Sequence, residues 1–234
     1  MTVQITSPIG VEALDGPACP EALAQATLRD IARSNTLFGG RAAVSFGVDL
    51  LLAGTAPHRR ITLLDVGAGG GDIARFIARR AARGGIDVRP VALDRHPAAA
   101  TLCRDAGLPS VVADAWALPL AARSVDIVVA SQLLHHFRRD AAVWLVRELA
   151  GVARIGVVIA DLLRSRAAAM GIWLASFALG FHGVTRRDGV TSVRRGFTAP
   201  ELSDVLAAAG VRTAVHRRPG FRVVAAWAPP RADY

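Results

Sequence analysis

Apolar positions along this chain alternate between two periods. Short continuous runs bounded by glycine, proline or acidic residues read as strands. They fall at 61–66, 88–93, 110–113, 124–131 and 155–160, the last closing on Asp161. Two more, 211–216 and 221–227, flank Arg217-Arg218-Pro219-Gly220 and predict terminal strands joined by a turn. Between these runs the period changes to that of a helix. Leu23, Thr27, Leu28 and Ile31 share a stripe that breaks at 35–40, and a second helical piece covers 42–52. Ile73, Phe76 and Ile77 open a helix that stops at Gly84-Gly85, and Pro97 starts another that reaches Ala106. The stretch 138–153 carries Val143, Leu145, Val146 and Leu149 on a face. Thr198 and Glu201 form a Thr-x-x-Glu box with Pro200 in the first turn, so a helix starts there and ends at Gly210. Two segments are less regular. Residues 167–181 are apolar and aromatic, with Met170, Trp173, Phe177 and Phe181, whereas 185–195 is polar, arginine-rich and reads as a mobile loop.

The first strand leads into the most informative stretch, Asp65-Val66-Gly67-Ala68-Gly69-Gly70-Gly71-Asp72. Glycines at such a strand-to-helix turn let the backbone bend sharply and approach a ligand with no Cβ in the way. The helix beyond it presents unpaired N–H groups and the positive end of a dipole. A dinucleotide-binding turn requires glycine at its first, third and sixth positions, and here the sixth is Asp72. The pattern that fits is acidic-x-Gly-x-Gly-x-Gly, on Asp65, Gly67, Gly69 and Gly71. Two further acids follow in register. Asp94 closes the second strand, about where a nucleoside-binding sheet needs an acceptor for ribose hydroxyls. Asp114 follows the third strand, with Leu118-Pro119 after it. The fourth strand runs directly into Ser131, Gln132, Leu133, Leu134, His135, His136 and Phe137. In an open α/β sheet the ligand crevice lies at the carboxyl ends of strands, so this segment faces substrate.

Taken together, these positions resemble the class I S-adenosylmethionine (SAM)-dependent methyltransferases over about residues 35–228, and the Leu-His-His-Phe tetrad is similar to that of the ubiquinone/menaquinone-type enzymes and their small-molecule relatives. Relatives often carry an Arg-Pro-Gly-Gly-like turn after the next helix. Here the text is Gly151-Val152-Ala153-Arg154, a departure from that subfamily. The resemblance implies an α/β, Rossmann-like fold with a seven-stranded, mostly parallel sheet, an antiparallel terminal hairpin, helices on both faces and added N-terminal helices. It divides the chain into a lead-in with covering helices (1–56) and a methyltransferase domain (57–234) holding a substrate-covering insertion at about 164–196. It places SAM, and its product S-adenosylhomocysteine (SAH), on Asp65, Gly67, Ala68, Gly69 and Gly71 at the methionine end. Asp94 and Arg95 then lie at the ribose, Asp114, Ala115 and Trp116 at the adenine, and Ser131 and Gln132 offer backbone groups near the methionine end. His135 is the candidate base for a protonated acceptor, His136 the next, and His182 a possible substrate contact. As a metal pair His135 and His136 are disfavoured, because adjacent residues rarely share a ligand geometry and no third ligand is evident.

Composition narrows the picture. At 234 residues and 52% hydrophobic, the chain can bury one good core. Cys19 and Cys103 lie far apart without metal spacing, and residues 1–10 lack a charged start followed by an apolar core. Both features point to a reducing cytoplasm without a secretion signal. No apolar run is long enough to span a bilayer, although peripheral membrane contact stays open, as does the oligomeric state. The net charge of +9 comes from arginine alone. The arginines are scattered in pairs without interleaved aromatics, which fits codon bias better than nucleic-acid binding. The expected activity is therefore methyl transfer to a small aromatic, phenolic or quinone-like metabolite of secondary metabolism, on oxygen or carbon. The apolar 167–181 segment would wall the pocket. An RNA or protein methyltransferase, an NAD-dependent oxidoreductase and a SAM-binding protein without turnover are the alternatives.

Overall fold

The computed structural model describes residues 10–16, 19–56 and 58–229, so residues 1–9 and 17–18 of the expected lead-in lie outside the described residues. Seven strands, β1 (Arg60–Val66), β2 (Asp87–Asp94), β3 (Ser110–Val112), β4 (Val125–Ser131), β5 (Ala153–Leu162), β6 (Val215–Arg218) and β7 (Arg222–Trp227), form a sheet in the order β3-β2-β1-β4-β5-β7-β6. The first five pair in parallel, and β7 and β6 close one edge antiparallel. The helices are α1 (Glu21–Leu37), α2 (Gly40–Leu52), α3 (Asp72–Arg83), α4 (Pro97–Asp105), α5 (Arg139–Val152), α6 (Arg166–Ala178), α7 (Gly183–Arg195) and α8 (Ala199–Ala208).

Alternation along β4 shows why the sheet needs cover on both faces. Ile127 and Val129 pack with the buried residues of α2 and α3, and Val128 and Ala130 with those of α5 and α8. All four are essentially inaccessible, and burying a side chain of this kind contributes about 1.5–3 kcal/mol. The ends of the elements follow local chemistry. Thr198 and Glu201 exchange hydrogen bonds across the first turn of α8, as the box predicts. Gly71 precedes α3 in the left-handed region, and α3 ends at Gly84.

Four local expectations need correction. Residues 185–195 are not a loop but form α7 with Gly183 and Val184. Its helix is sustained by tertiary bonds rather than an apolar stripe: Arg195 is buried and bonded to Glu12 and Asp15, and Asp188 accepts from the Ala13 N–H. The break expected over 35–40 narrows to Phe38 and Gly39, and α1 continues to Leu37 because the Asn35 amide finds a buried partner in Asp72. β6 starts only at Val215 and takes in Arg217 and Arg218, since register against β7 decides its limits. β5 is longer than the expected 155–160, starting at Ala153 directly after α5 and running to Leu162.

Candidate functional site

The carboxyl ends of β1, β2 and β4 open onto one cavity of about 710 Å3, at the point where the chain reverses its direction of travel across the sheet. The floor is the turn between β1 and α3. Gly67, Gly69 and Gly71 hold φ of 70°, 53° and 67°, a region that side chains other than glycine enter only with strain. The turn is anchored on β2, because the Gly67 and Ala68 N–H groups both donate to the Leu93 carbonyl (2.8 and 3.1 Å). Asp94 clasps it from the side: one carboxylate oxygen accepts from Gly69 N–H and the other from His96 N–H, each at 2.9 Å. Space is also exhausted beneath it. A Cβ on Gly71 would overlap Leu108, and one on Gly67 would come within 2.9 Å of Leu133.

Carboxyl groups are concentrated here. Asp65 is buried at the end of β1, and its Oδ2 has no hydrogen-bond partner among the described residues. Burial, reinforced by the charges of Asp72 and Asp94, pushes its carboxyl up to about 8. Asp72 is raised by burial too, although Asn35 and Arg41 bond its carboxylate and pull the other way. Asn35 starts a chain of side chains across the cavity rim. Its amide oxygen accepts from Gln132, whose own oxygen accepts from Arg222. Gln132 has φ 52°, uncommon for a residue with a side chain. Burial brings Arg222 down to about 10, with the Asp161 charge opposing that fall.

The remaining predicted positions divide. Arg95, Asp114, Ala115 and Ser131 line the cavity. Arg95 also reaches the Leu14 carbonyl (2.9 Å), and Asp114 accepts from the Trp116 N–H. Trp116 itself turns away, stacked on Trp144 at 4.6 Å and packed against Phe137, so it belongs to the core beside α5 rather than to an adenine pocket. His182 is the exposed cap of α7 and does not line the cavity. The face of α6 carrying Met170, Trp173, Leu174 and Phe177 points outward, and Ala168, Gly171 and Ile172 with Phe181 form the wall instead. A 3.6-residue period identifies an apolar face without saying which side of the molecule it meets.

His135 and His136 both line the cavity. His135 is 4% exposed, and its Nδ1 lies 2.7 Å from Asp161 Oδ1. Burial alone would raise Asp161. The charge and hydrogen bond of His135, with the N–H groups of Leu162 and His135, hold it below the usual carboxylate range. An ionised carboxylate only accepts, so Nδ1 carries a proton, and in the neutral form of the ring Nε2 is the acceptor. That Nε2 has no hydrogen-bond partner among the described residues, with Glu12 Oε1 3.9 Å away. His136 Nδ1 meets Asp15 at 2.8 Å. Despite its burial, Asp15 stays well below the usual range, held there by His136 and Arg195.

Glu12, His135 and His136 bring ligand atoms within 4.8 Å of one another, so a third ligand to the histidine pair is present after all, contributed by the N-terminal segment. Arg195, bonded to Glu12 at 3.2 Å and Asp15 at 2.9 Å, already supplies a cation to those carboxylates. Glu12, Asp15, Asn35, Asp161, Arg195 and Arg222 were not singled out by sequence. Only Asp161 carried a signal, as an acid ending a strand on the ligand side of the sheet.

Residues 63–156 match the family model described as a methyltransferase domain. The chain has the fold of the class I methyltransferases. Human N-acetylserotonin methyltransferase in complex with SAM is similar over 88% of this chain and 56% of its own, at 13% identity and TM-score 0.61. Magnesium protoporphyrin IX methyltransferase from Synechocystis, with bound SAH, aligns over 83% of this chain and 84% of its own (13% identity, TM-score 0.55). A SAM-dependent methyltransferase from Aquifex aeolicus covers 76% of this chain and 87% of its own (16% identity, TM-score 0.53). At these identities the likeness is one of fold. No curated protein sequence matches the chain.

Proposed function

We propose that this chain is a SAM-dependent methyltransferase acting on a small aromatic, phenolic or quinone-like acceptor, at oxygen or carbon. The observation that carries the reading is a single cavity holding two complementary features: an acid-lined glycine turn and a buried histidine nitrogen with no hydrogen-bond partner among the described residues. The residues fit the cofactor. Asp65, Asp72 and Asp94 gather carboxyl groups where a sulfonium and an ammonium group would be welcome, and the Asp65 oxygen, without a partner among the described residues, becomes one such attraction point once a bound cation favours its ionised form. The glycine turn would hold the methionine end, Asp94 the ribose, and Asp114 with Ala115 the adenine. SAM supplies an electrophilic methyl group on a sulfonium. The protein's task is to align the acceptor with that group, which alone can account for much of the rate, and to take up the acceptor's proton at His135 Nε2. Asp161 is the positioning residue that keeps Nε2 free for it. The resemblance to ubiquinone/menaquinone-type enzymes rests on the Leu-His-His-Phe tetrad and supports the choice of acceptor class.

Calorimetric titration with SAM and SAH, with NAD as control, tests the reading. Micromolar binding of SAH that is lost in Asp94→Ala supports it. Binding of NAD instead, or salt-sensitive RNA binding without SAH binding, would overturn it in favour of an oxidoreductase or a nucleic-acid-directed protein.

A further inference from the structure

Helix α6 has two faces with different destinations. Its inner side, Ala168, Gly171 and Ile172, lines the cavity. Its outer side carries Met170, Trp173, Leu174 and Phe177 at i, i+3, i+4 and i+7, exposed by 59, 44, 56 and 51%. A stripe of four large apolar side chains in water marks a surface that meets something. Its rim is basic. Arg166 lies one helical turn before Met170 on the same stripe and is exposed. The Arg186 guanidinium sits over the Phe177 ring, 3.5 Å from its centroid. From 162 to 187 there is no aspartate or glutamate, and four arginines stand in that stretch. Of these, Arg164 is engaged by Glu201, and Arg186 also bonds Ser176 Oγ and the Phe181 carbonyl while keeping its charge.

We infer that the outer face of α6 docks on an anionic lipid surface. Apolar and aromatic side chains flanked by arginine are the two components that hold a helix in the plane of a charged bilayer interface. No helix among the described residues is long and apolar enough to cross a membrane, and the stripe runs along the outside of α6. Charge decides against a second copy of the chain as occupant: a two-fold contact through this stripe would set each subunit's arginines near those of its mate, whereas an anionic surface is attracted by them. The +9 net charge acts in the same direction at longer range. Because the inner side of α6 is cavity wall, docking puts the cavity beside the bilayer. Together with the methyl-transfer reading, on which this clause rests, the acceptor is then lipophilic and enters from the membrane without crossing water.

Co-sedimentation of the full chain with vesicles of phosphatidylcholine alone and of phosphatidylcholine with phosphatidylglycerol tests the surface. Binding should favour the anionic vesicles by about tenfold or more and fall steeply with salt. Emission of the exposed Trp173 should shift to the blue. The paired change Trp173→Glu with Leu174→Glu should abolish binding, and Arg166→Glu should weaken it about fivefold or more. Absence of binding to either vesicle by the unaltered chain overturns the inference. So does a dimer that dissociates on the paired change, which would assign the face to a second copy. SAH titration of the same samples keeps the two readings apart: SAH binding without vesicle binding removes only the docking surface, and vesicle binding without SAH binding removes only the cofactor assignment.

Discussion

Asp161 accepts from His135 Nδ1 and so leaves Nε2 for the proposed base role. His135→Ala should therefore lower kcat by about 10²- to 10⁴-fold with SAH affinity retained, measured by single turnover at saturating SAM. Asp161→Asn should lower kcat as well, because an amide can present its NH2 to Nδ1 and select the other tautomer. Unchanged turnover in His135→Ala would remove the base role. Asp65 yields a prediction of a different kind. Its carboxyl, pushed to about 8, is mostly protonated at neutrality in the free protein. A cation bound beside it favours the ionised form, so SAM binding should release close to one proton near neutrality and tighten as pH rises toward about 8. Calorimetry in buffers of different ionisation enthalpy reads this directly, and Asp65→Asn should show no such release. Stability follows the same sign. The folded value lies above the unfolded one, so the contribution of Asp65 is complete below about pH 4 and is lost as pH rises to about 8. The melting temperature of Asp65→Asn should accordingly fall less over that interval than that of the unaltered chain, each kcal/mol being worth about 2–4 °C in a chain of this size.

Among the elements, the turn from β1 to α3 and the 10–16 segment depend on different forces. The turn depends on the absence of side chains. Gly71→Ala would strain a φ of 67° and overlap Leu108, so it should cost about 2–5 kcal/mol and weaken SAH binding, as urea unfolding and titration can show. The 10–16 segment depends on charge. Arg195 bonds the Gly10 carbonyl, Glu12 and Asp15 from a buried position. Removing it takes away the arginine that Glu12 and Asp15 share, leaving Arg95 3.8 Å from Asp15. Arg195→Met should cost about 3–5 kcal/mol and expose 10–16 to hydrogen exchange well before the sheet opens. Equal protection of 10–16 in both proteins would show that Arg195 does not pin the segment.

At the scale of the whole molecule, the cavity joins parts far apart in the chain: the 10–16 segment, α1, the β1 turn, the end of β4, α6, α7 and β7. A ligand seated there stabilises all of them together. At a hundred times its Kd, SAH should add about 2.7 kcal/mol, or about 5–10 °C in melting temperature. The added protection should concentrate in α1 and 10–16, which close the cavity, rather than in β4 and β5, which are already core. Uniform protection would mean that the covering elements are as firmly set without ligand as the sheet. The Asn35–Gln132–Arg222 chain is one of the links that carry α1 into this unit, beside the Asn35 bond to Asp72 and the Asp30 bond to the His182 N–H.

How much of this was legible beforehand depended on the range of the force concerned. The seven strands, the order of acids Asp65, Asp94 and Asp114, the glycine turn and the capping box of α8 could be read from sequence. Each is set by local rules: a two- or 3.6-residue period, a backbone angle only glycine tolerates, or a hydroxyl within reach of its own helix. His135 could be located because strand ends face the ligand in an open sheet. Its partner Asp161, the clasp of Glu12 and Asp15 by Arg195 and the Asn35–Gln132–Arg222 chain could not, because they join residues between 26 and 183 positions apart. The same limit explains the errors. Arginine-rich polarity suggested a loop at 185–195, but the charge on Arg195 is neutralised by acids from the other end of the chain, and a helix results. Trp116 lay beside a ligand motif in sequence, and packing turned its ring toward Trp144. The stripe on α6 was visible as apolar, and only the tertiary structure decided that it faces outward. Period and backbone stereochemistry are properties of neighbours in the chain, whereas side-chain direction, charge compensation and proton location depend on which distant segment is brought alongside.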